Sequence, residues 1–368
     1  MLSRRQFLAT SGAIAASGAM SALPAWGQSA PAGYTAAYKE IVEKAVKEGV
    51  VAIYTSTDDV QGRPLLDAFR AAYPGIRIDY NDLGTNGAYN RVISEAAARQ
   101  VGSDIVWTSA MDLQMLLVSK GYAEAYKSPE AANLPAWADY KDMLYATSVE
   151  PVAIMYNKRA MGSLQPPKTR AELIEFLKAN KDALKGKVAS FDPEKSGSGF
   201  LFFNNDARTT NDTWNLVRAF GATDPKVYGS SGAMREKVAS GEHAIAFNLI
   251  GSYAIEWARK DANLGVILPP DHAAAFSRVV NISKGAPHPN AARLFLDFML
   301  SKAGQTAMAG SGAPSVRSDV TEGLNIAKLN EMAGGKLKPI PVSEALLEST
   351  EPKNRAEFFQ KWKQALRG

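Results

Sequence analysis

Short apolar runs and amphipathic stretches alternate along the first part of the chain. Tyr34, Tyr38, Ile41, Val42 and Ala45 recur at helical spacing, and Gly49 closes that helix. Val50-Val51-Ala52-Ile53-Tyr54 reads as a buried strand, followed by the polar loop Thr55-Ser56-Thr57-Asp58-Asp59. A helix over Leu65–Tyr73 stops at Pro74-Gly75, and Ile76–Tyr80 is the next strand. Gly84-Thr85-Asn86-Gly87 opens a helix through Gln100, and Asp104–Trp107 is a third strand ending in Thr108-Ser109-Ala110. This alternation predicts βαβ units on a parallel sheet. Ligands of such sheets bind beyond the carboxyl ends of the strands. Ser56, Thr57, Asp58, Thr85, Asn86 and Ser109 are therefore candidate ligand contacts, although Thr55–Thr57 serves equally as a helix cap. Trp107 reads as core.

The pattern changes at Met143–Asn157. Two strand-like runs, Tyr145–Val149 and Val152–Tyr156, are joined through Glu150-Pro151 with almost no loop. This suits a crossover between two lobes, with Glu150 placed to meet a ligand or to pin a hinge. Beyond it, Thr169–Leu184 is a helix with Thr169 and Glu172 as a capping box, and Lys187–Phe191 is a strand. Helices at Thr213–Phe220 and Ala233–Ser240 precede a strand at His243–Asn248. The strands before Ser196-Gly197-Ser198-Gly199 and before Gly251-Ser252-Tyr253 share one form. Each is followed by small or hydroxylated residues and a helix start, whose N–H groups lack intrahelical partners and suit an anionic group. Ser196, Gly197, Ser198, Gly199, Asn248, Ser252 and Tyr253 form the second set of candidates, against the plainer reading of turns and caps. Leu264–Leu268 is a strand, and Arg278–Ile282 a strand returning to the first lobe. Arg278 is a candidate for a bidentate anion contact or an interlobe salt bridge. Helices at Asn290–Leu300, from Gly304 and at Phe358–Leu366 complete the chain, without internal repeats.

Residues 1–29 do not belong to this alternation. Ser3-Arg4-Arg5-Gln6-Phe7-Leu8 precedes an Ala/Gly/Ser-rich run, and Ala25-Trp26-Gly27 places small residues at a cleavage site. This reads as a cleaved export signal over residues 1–27, of the twin-arginine type, with the twin-arginine export machinery as a partner and the periplasm as destination. Neither this run nor any later stretch is long and apolar enough to span a membrane.

Composition narrows the chemistry. Lys+Arg number 42 against 37 Asp+Glu, with no basic run interleaved with aromatics, so nucleic acid is not an expected partner. Zero cysteines exclude disulfides and thiolate metal sites, and three histidines do not suggest a zinc site; no metal or cofactor is expected. His243, His272 and His288 have no neighbouring nucleophile, and Ser198 sits in Gly-Ser-Gly rather than Gly-x-Ser-x-Gly. No catalytic residue is proposed and an enzyme is not expected.

Several stretches together resemble a known family: Val50–Thr57, Ser103–Trp107, Val152–Asn157, Ser240-Gly241-Glu242, Ser252-Tyr253, Pro289–Asp297 and Ser301–Gln305, behind an export signal. The chain is similar to the extracellular solute-binding proteins of ABC importers, in the branch containing ferric-iron, phosphonate and sugar-phosphate binders. The resemblance implies an α/β, two-lobed periplasmic-binding fold of the type II kind, each lobe a sheet flanked by helices, with two crossing strands as hinge. It places residues 30–149 and 278–320 in lobe 1, 150–277 in lobe 2, and 321–368 in a C-terminal helical segment packing on the lobes. It implies a monomer that captures a small polar or anionic organic solute, phosphorylated compounds and phosphonates included, for a membrane permease and its ATPase. Ferric members of the branch hold iron with a tandem tyrosine near Ser252-Tyr253, where this chain has Ala254 in second place. Ferric-ion binding, an exported hydrolase and a sensor-linked binding protein are the alternatives.

Overall fold

The computed structural model describes residues 31, 33–310 and 312–367; the export signal expected at residues 1–27 lies outside them. Strands follow in the order β1 (Val50–Thr55), β2 (Arg77–Asp82), β3 (Ile105–Thr108), β4 (Ala123–Glu124), β5 (Asp139–Tyr140) and β6 (Leu144–Ala146). They continue as β7 (Glu150–Asn157), β8 (Val188–Phe191), β9 (Lys226–Tyr228), β10 (Ile245–Ile250), β11 (Leu264–Ile267), β12 (Ala274–Phe276), β13 (Val279–Ser283) and β14 (Lys338–Pro339).

Two sheets result. The first has the order β2-β1-β3-β13-β6-β5, with β4 also on β13; the second runs β14-β12-β7-β10-β8-β9, with β11 on β7. β1 is parallel to both β2 and β3, as the βαβ pattern predicts. β1 and β3 are almost wholly buried because helices cover both faces, which explains their unbroken apolar runs. In the second sheet β8 is parallel to β9 and β10, while β7 runs antiparallel to β10. The carboxyl ends of β1, β2 and β3 thus share one edge, as do those of β8, β9 and β10.

Each sheet has its own apolar core. The first packs Val51, Ile53, Ile105, Trp107 and Val280 against Phe69, Phe295 and Phe298. The second packs Met155, Val188, Ala246 and Phe247 against Phe200, Phe203, Phe220 and Trp362. Trp107 is core, as read, with Nε1 donating to Thr147 Oγ1 at 3.0 Å. The chain crosses between the sheets from β6 to β7 and from β12 to β13, and the crossings touch where Thr147 N donates to Arg278 O at 2.8 Å.

The C-terminal segment reaches both bodies. β14 adds to the second sheet beside β12, and the helix Pro352–Arg367 lies on the helix Thr213–Gly221. Trp362 packs tilted against Phe203 at 4.7 Å between centroids, and Phe358 packs edge-on against Phe200 at 5.0 Å. Just before that helix, Val342 N donates to Trp137 O at 2.9 Å, and Ser349 Oγ lies 3.5 Å from Asp112 Oδ2 on the first body.

Candidate ligand-binding cleft

The carboxyl ends of the two parallel strand sets face one cavity of about 780 Å³. From the first sheet it is lined by Ser56 and Asp58 after β1, Asp82 ending β2 with Gly84 and Thr85 beyond it, and Ser109 after β3. From the second it is lined by Phe191, Ser196 and Ser198 around the end of β8, Gly229–Ala233 after β9, and Ile250 and Tyr253 around the end of β10. Arg235, Glu236 and Trp257 complete that wall.

Of the residues singled out from sequence, Ser56, Asp58, Thr85, Ser109, Ser196, Ser198 and Tyr253 line this cavity. Several of them also join the lobes directly. Ser109 Oγ is 2.8 Å from Ser198 Oγ and 3.2 Å from Ser56 Oγ. Gly197 N donates to Thr85 Oγ1 at 3.0 Å, and Asn86 Nδ2 donates to Lys195 O at 3.0 Å.

Ser196–Gly199 differs from its reading as an open cradle. Ser196 is the N-cap of the helix Gly197–Thr209, its Oγ accepting from Gly199 N, so the glycines belong to the helix rather than to a loop. The N–H groups of Gly197 and Gly199 are thereby engaged by Thr85 and Ser196. Gly197 is needed for close approach: a Cβ there would come within 2.9 Å of the Ala110 Cβ in the opposite lobe.

Glu150, Ser252, Arg278 and Thr57 come together in a buried network at the crossings. Arg278 Nε donates to Glu150 Oε1 at 2.7 Å, Nη1 to Thr57 Oγ1 at 2.7 Å and Nη2 to the Tyr253 hydroxyl at 3.2 Å. Ser148 Oγ also donates to Glu150 Oε1 at 3.0 Å, and Ser252 Oγ donates to Oε2. The two charged side chains are essentially inaccessible, so Arg278 takes the salt-bridge option rather than facing the cavity. Removing one partner of such a buried pair costs about 3–5 kcal/mol, because the other charge is left uncompensated. Tyr253 belongs to both places, with its hydroxyl in the network and its ring on the cavity wall.

Asn248 is directed elsewhere. It has φ of 53° in a bulge of β10 where pairing to β7 shifts register. Asn248 Nδ2 donates to Asp206 Oδ2 at 2.8 Å, beside Arg170 Nη1 at 2.9 Å and His272 Nε2 at 2.6 Å from Asp206 Oδ1. Burial alone would raise the Asp206 pKa, but Arg170, His272 and Asn248 outweigh it and hold the carboxyl at about 2. None of these four residues lines the cavity.

The edge after β9 carries residues that no pattern in the sequence marks. Ser230 caps the helix Ser231–Ala239, and one turn in, Arg235 stands in the cavity wall. Its guanidinium lies 4.2 Å from the Trp257 ring centroid and 5.5 Å from that of Tyr253. Its Nε is buried without a hydrogen-bond partner among the described residues. The run Tyr228-Gly229-Ser230-Ser231-Gly232 has the same strand, small-hydroxyl and helix form as the stretches at Ser196 and Gly251. A three-residue strand behind Pro225 hid it.

Known proteins share this architecture. The family model described as bacterial extracellular solute-binding protein matches residues 65–334. The substrate binding protein of the ABC transporter from Agrobacterium tumefaciens is 34% identical, with a TM-score of 0.82, covering 86% of this chain and 94% of that one. The periplasmic binding protein AfuA from Actinobacillus pleuropneumoniae, solved with fructose-6-phosphate, has a TM-score of 0.70 at 20% identity over 87% of this chain and 99% of its own. Iron-bound HitA from Pseudomonas aeruginosa has a TM-score of 0.68 at 16% identity, over 86% of this chain and 99% of its own. At those last two identities the likeness concerns the fold alone.

Proposed function

The chain belongs to the bacterial extracellular solute-binding protein family, and from that premise we propose that it captures a small anionic organic solute in the cleft. It is a solute-binding protein of the ABC-transporter type, acting outside the cytoplasm with a permease and an ATPase; the family is one of transport proteins, not enzymes. In our reading the place is the periplasm, reached by the twin-arginine route, and the protein is a monomer. The lobes are residues 30–149 with 278–320, and 150–277.

One observation carries the anionic reading. Arg235 brings a permanent positive charge to the cavity, with a buried Nε that no protein acceptor satisfies among the described residues. Beside it open the first turns of the helices Ser231–Ala239 and Gly251–Lys260, which add orphan N–H groups and a favourable dipole. Trp257 and Tyr253 hold the guanidinium from its faces and leave its edge for a phosphate or carboxylate. Iron(III) wants anionic oxygens. Here burial raises the Tyr253 phenol above its ordinary range despite the nearby Arg278, and Ala254 supplies no second phenol.

Thermal-shift and calorimetric titration of the purified protein test this. Small organic phosphates or carboxylates are expected to raise the melting temperature. Arg235→Ala is expected to weaken them roughly 10- to 100-fold, the worth of a charged hydrogen bond of about 1.5–3 kcal/mol. A shift with iron(III) alone, and none with organic anions, sinks the reading.

A further inference from the structure

We propose that Asp112 works as a proton-operated latch between the first lobe and the C-terminal segment. With a proton on its carboxyl the cleft is held shut, and with the proton gone the lobes part more readily. The inference concerns the closing motion and not which solute the lobes enclose. Asp112 stands in the first turn of the helix Met111–Ser119, just beyond the cleft residue Ser109. The turn Glu344–Ser349 packs on that helix as part of a strap, residues 340–349. The strap leaves the second lobe where Ile340 N donates to Ala275 O at 2.7 Å. It crosses to the first where Val342 N donates to Trp137 O at 2.9 Å and Lys141 Nζ lies 2.9 Å from Glu344 Oε1. Ser349 Oγ then reaches Asp112 Oδ2 at 3.5 Å, and the chain returns to the second lobe as the helix Pro352–Arg367.

The strap touches both lobes, so any opening must break one set of its contacts, and the two sets are unequal. On the second lobe stand the pairing of β14 with β12 and the packing of Phe358 and Trp362 against Phe200 and Phe203. On the first stand a backbone bond, an exposed ion pair that is weak in water, and the long contact to Asp112. The strap therefore moves with the second lobe, and Asp112 meets water when the cleft opens. In the closed molecule Asp112 is wholly buried. Its Oδ1 has no well-formed hydrogen bond among the described residues, and Oδ2 has only the long one from Ser349. A carboxyl so placed is disfavoured as an ion and tolerated as an acid. Burial raises it from 3.8 to about 6, against the pull of the N–H groups of its own turn, of Arg355 and of Ser349.

The other charges on the elements around it are engaged elsewhere. Glu344 and Glu348 of the strap pair with Lys141 and Arg208. In the helix Gly84–Ala97, Arg91 pairs with Glu95, and burial pushes the Tyr89 phenol up, so that it stays neutral. The first turn of the helix Gly197–Thr209 carries no charge, and Tyr145 of β6 donates to the Tyr126 carbonyl. Glu351, Lys353 and Glu357 are exposed, while Arg355 lies over the Phe200 ring at 4.2 Å. The closed state thus holds the Asp112 proton more tightly than the open one, where the carboxyl returns to its ordinary range. Its pull toward closure is full below about pH 4 and is lost as pH climbs through about 6.

Small-angle scattering of the solute-free protein reads this directly, whatever the solute is. The ratio of closed to open molecules is expected to fall roughly tenfold from about pH 5 to about pH 8. Asp112→Asn, which keeps the shape of the neutral acid, is expected to be equally compact at both. Arg355→Met removes the charge that steadies the carboxylate and is expected to move the midpoint to higher pH, so the latch can be judged even if Asp112→Asn fails to fold. A parent equally compact at both pH values overturns the latch, as does a midpoint unmoved in Arg355→Met. A response that survives in Asp112→Asn also overturns it and assigns the proton to Asp82 on the cleft wall, whose carboxyl burial raises as well.

Discussion

Asp297 is a buried carboxylate of the first lobe held by three side-chain hydroxyls. Its Oδ2 accepts the Tyr38 and Tyr126 hydroxyls at 2.6 and 2.7 Å, and Oδ1 accepts Ser128 Oγ at 2.6 Å. Burial nevertheless dominates, with the hydroxyls pulling back and Glu130 adding repulsion, so its pKa rises from 3.8 to about 7. The folded state then holds this proton more tightly than the unfolded one. The contribution to stability is full below about pH 4 and is lost as pH climbs through about 7. Asp297→Asn is expected to flatten the dependence across that window in urea unfolding at pH 5 and pH 8; an unchanged slope refutes the assignment. Legibility at this scale followed from context. Glu150 and Arg278 could be read as important because each stands at an abrupt change of pattern. Arg235 could not, because an arginine within Ala233–Ser240 looks like any residue on a solvated helix face.

Strands and helices were read best where burial on both faces makes the signal continuous, as in β1, β3, β8 and β10. Strands of two or three residues, β4, β5, β9 and β14, carry no period of their own and exist because a neighbouring strand offers an edge. Glycine is a poor helix former, yet Gly197 and Gly199 lie in the first turn of a helix. Contact with Ala110 and Phe191 outweighs that preference, since a Cβ at Gly197 or Gly199 meets one of them within 3 Å. A similar constraint governs the C-terminal helix. A Cβ at Gly221 would lie 2.2 Å from Leu366 O. Gly221→Ala is expected to push the last turn away at a cost of about 1–3 kcal/mol. Tryptophan emission should shift to the red as the contact of Trp362 with Phe203 loosens; emission and unfolding midpoint both unchanged would show that the helix simply slides.

At the scale of the molecule, the lobes are tied by hydroxyl and backbone bonds at the cleft edge as well as by the buried Glu150–Arg278 pair. Each bond of the first kind contributes about 0.5–1.5 kcal/mol toward closure. Thr85→Val with Ser109→Ala removes the acceptor for Gly197 N and the partner of Ser198 Oγ. The double variant is expected to show a larger radius of gyration in small-angle scattering and an apparent affinity weaker by roughly 5- to 100-fold for any solute. A variant as compact and as tight as the parent would show that these contacts do not govern closure.

The bond between Ser109 and Ser198 is made by protein atoms alone, so it favours closure whether or not cargo lies inside. A transporter that recognises the closed shape cannot tell such a molecule from a laden one. An empty carrier held shut in this way would compete with laden ones for the permease when the protein is abundant. The few hydroxyls at the rim of the cleft would set how large that competition is.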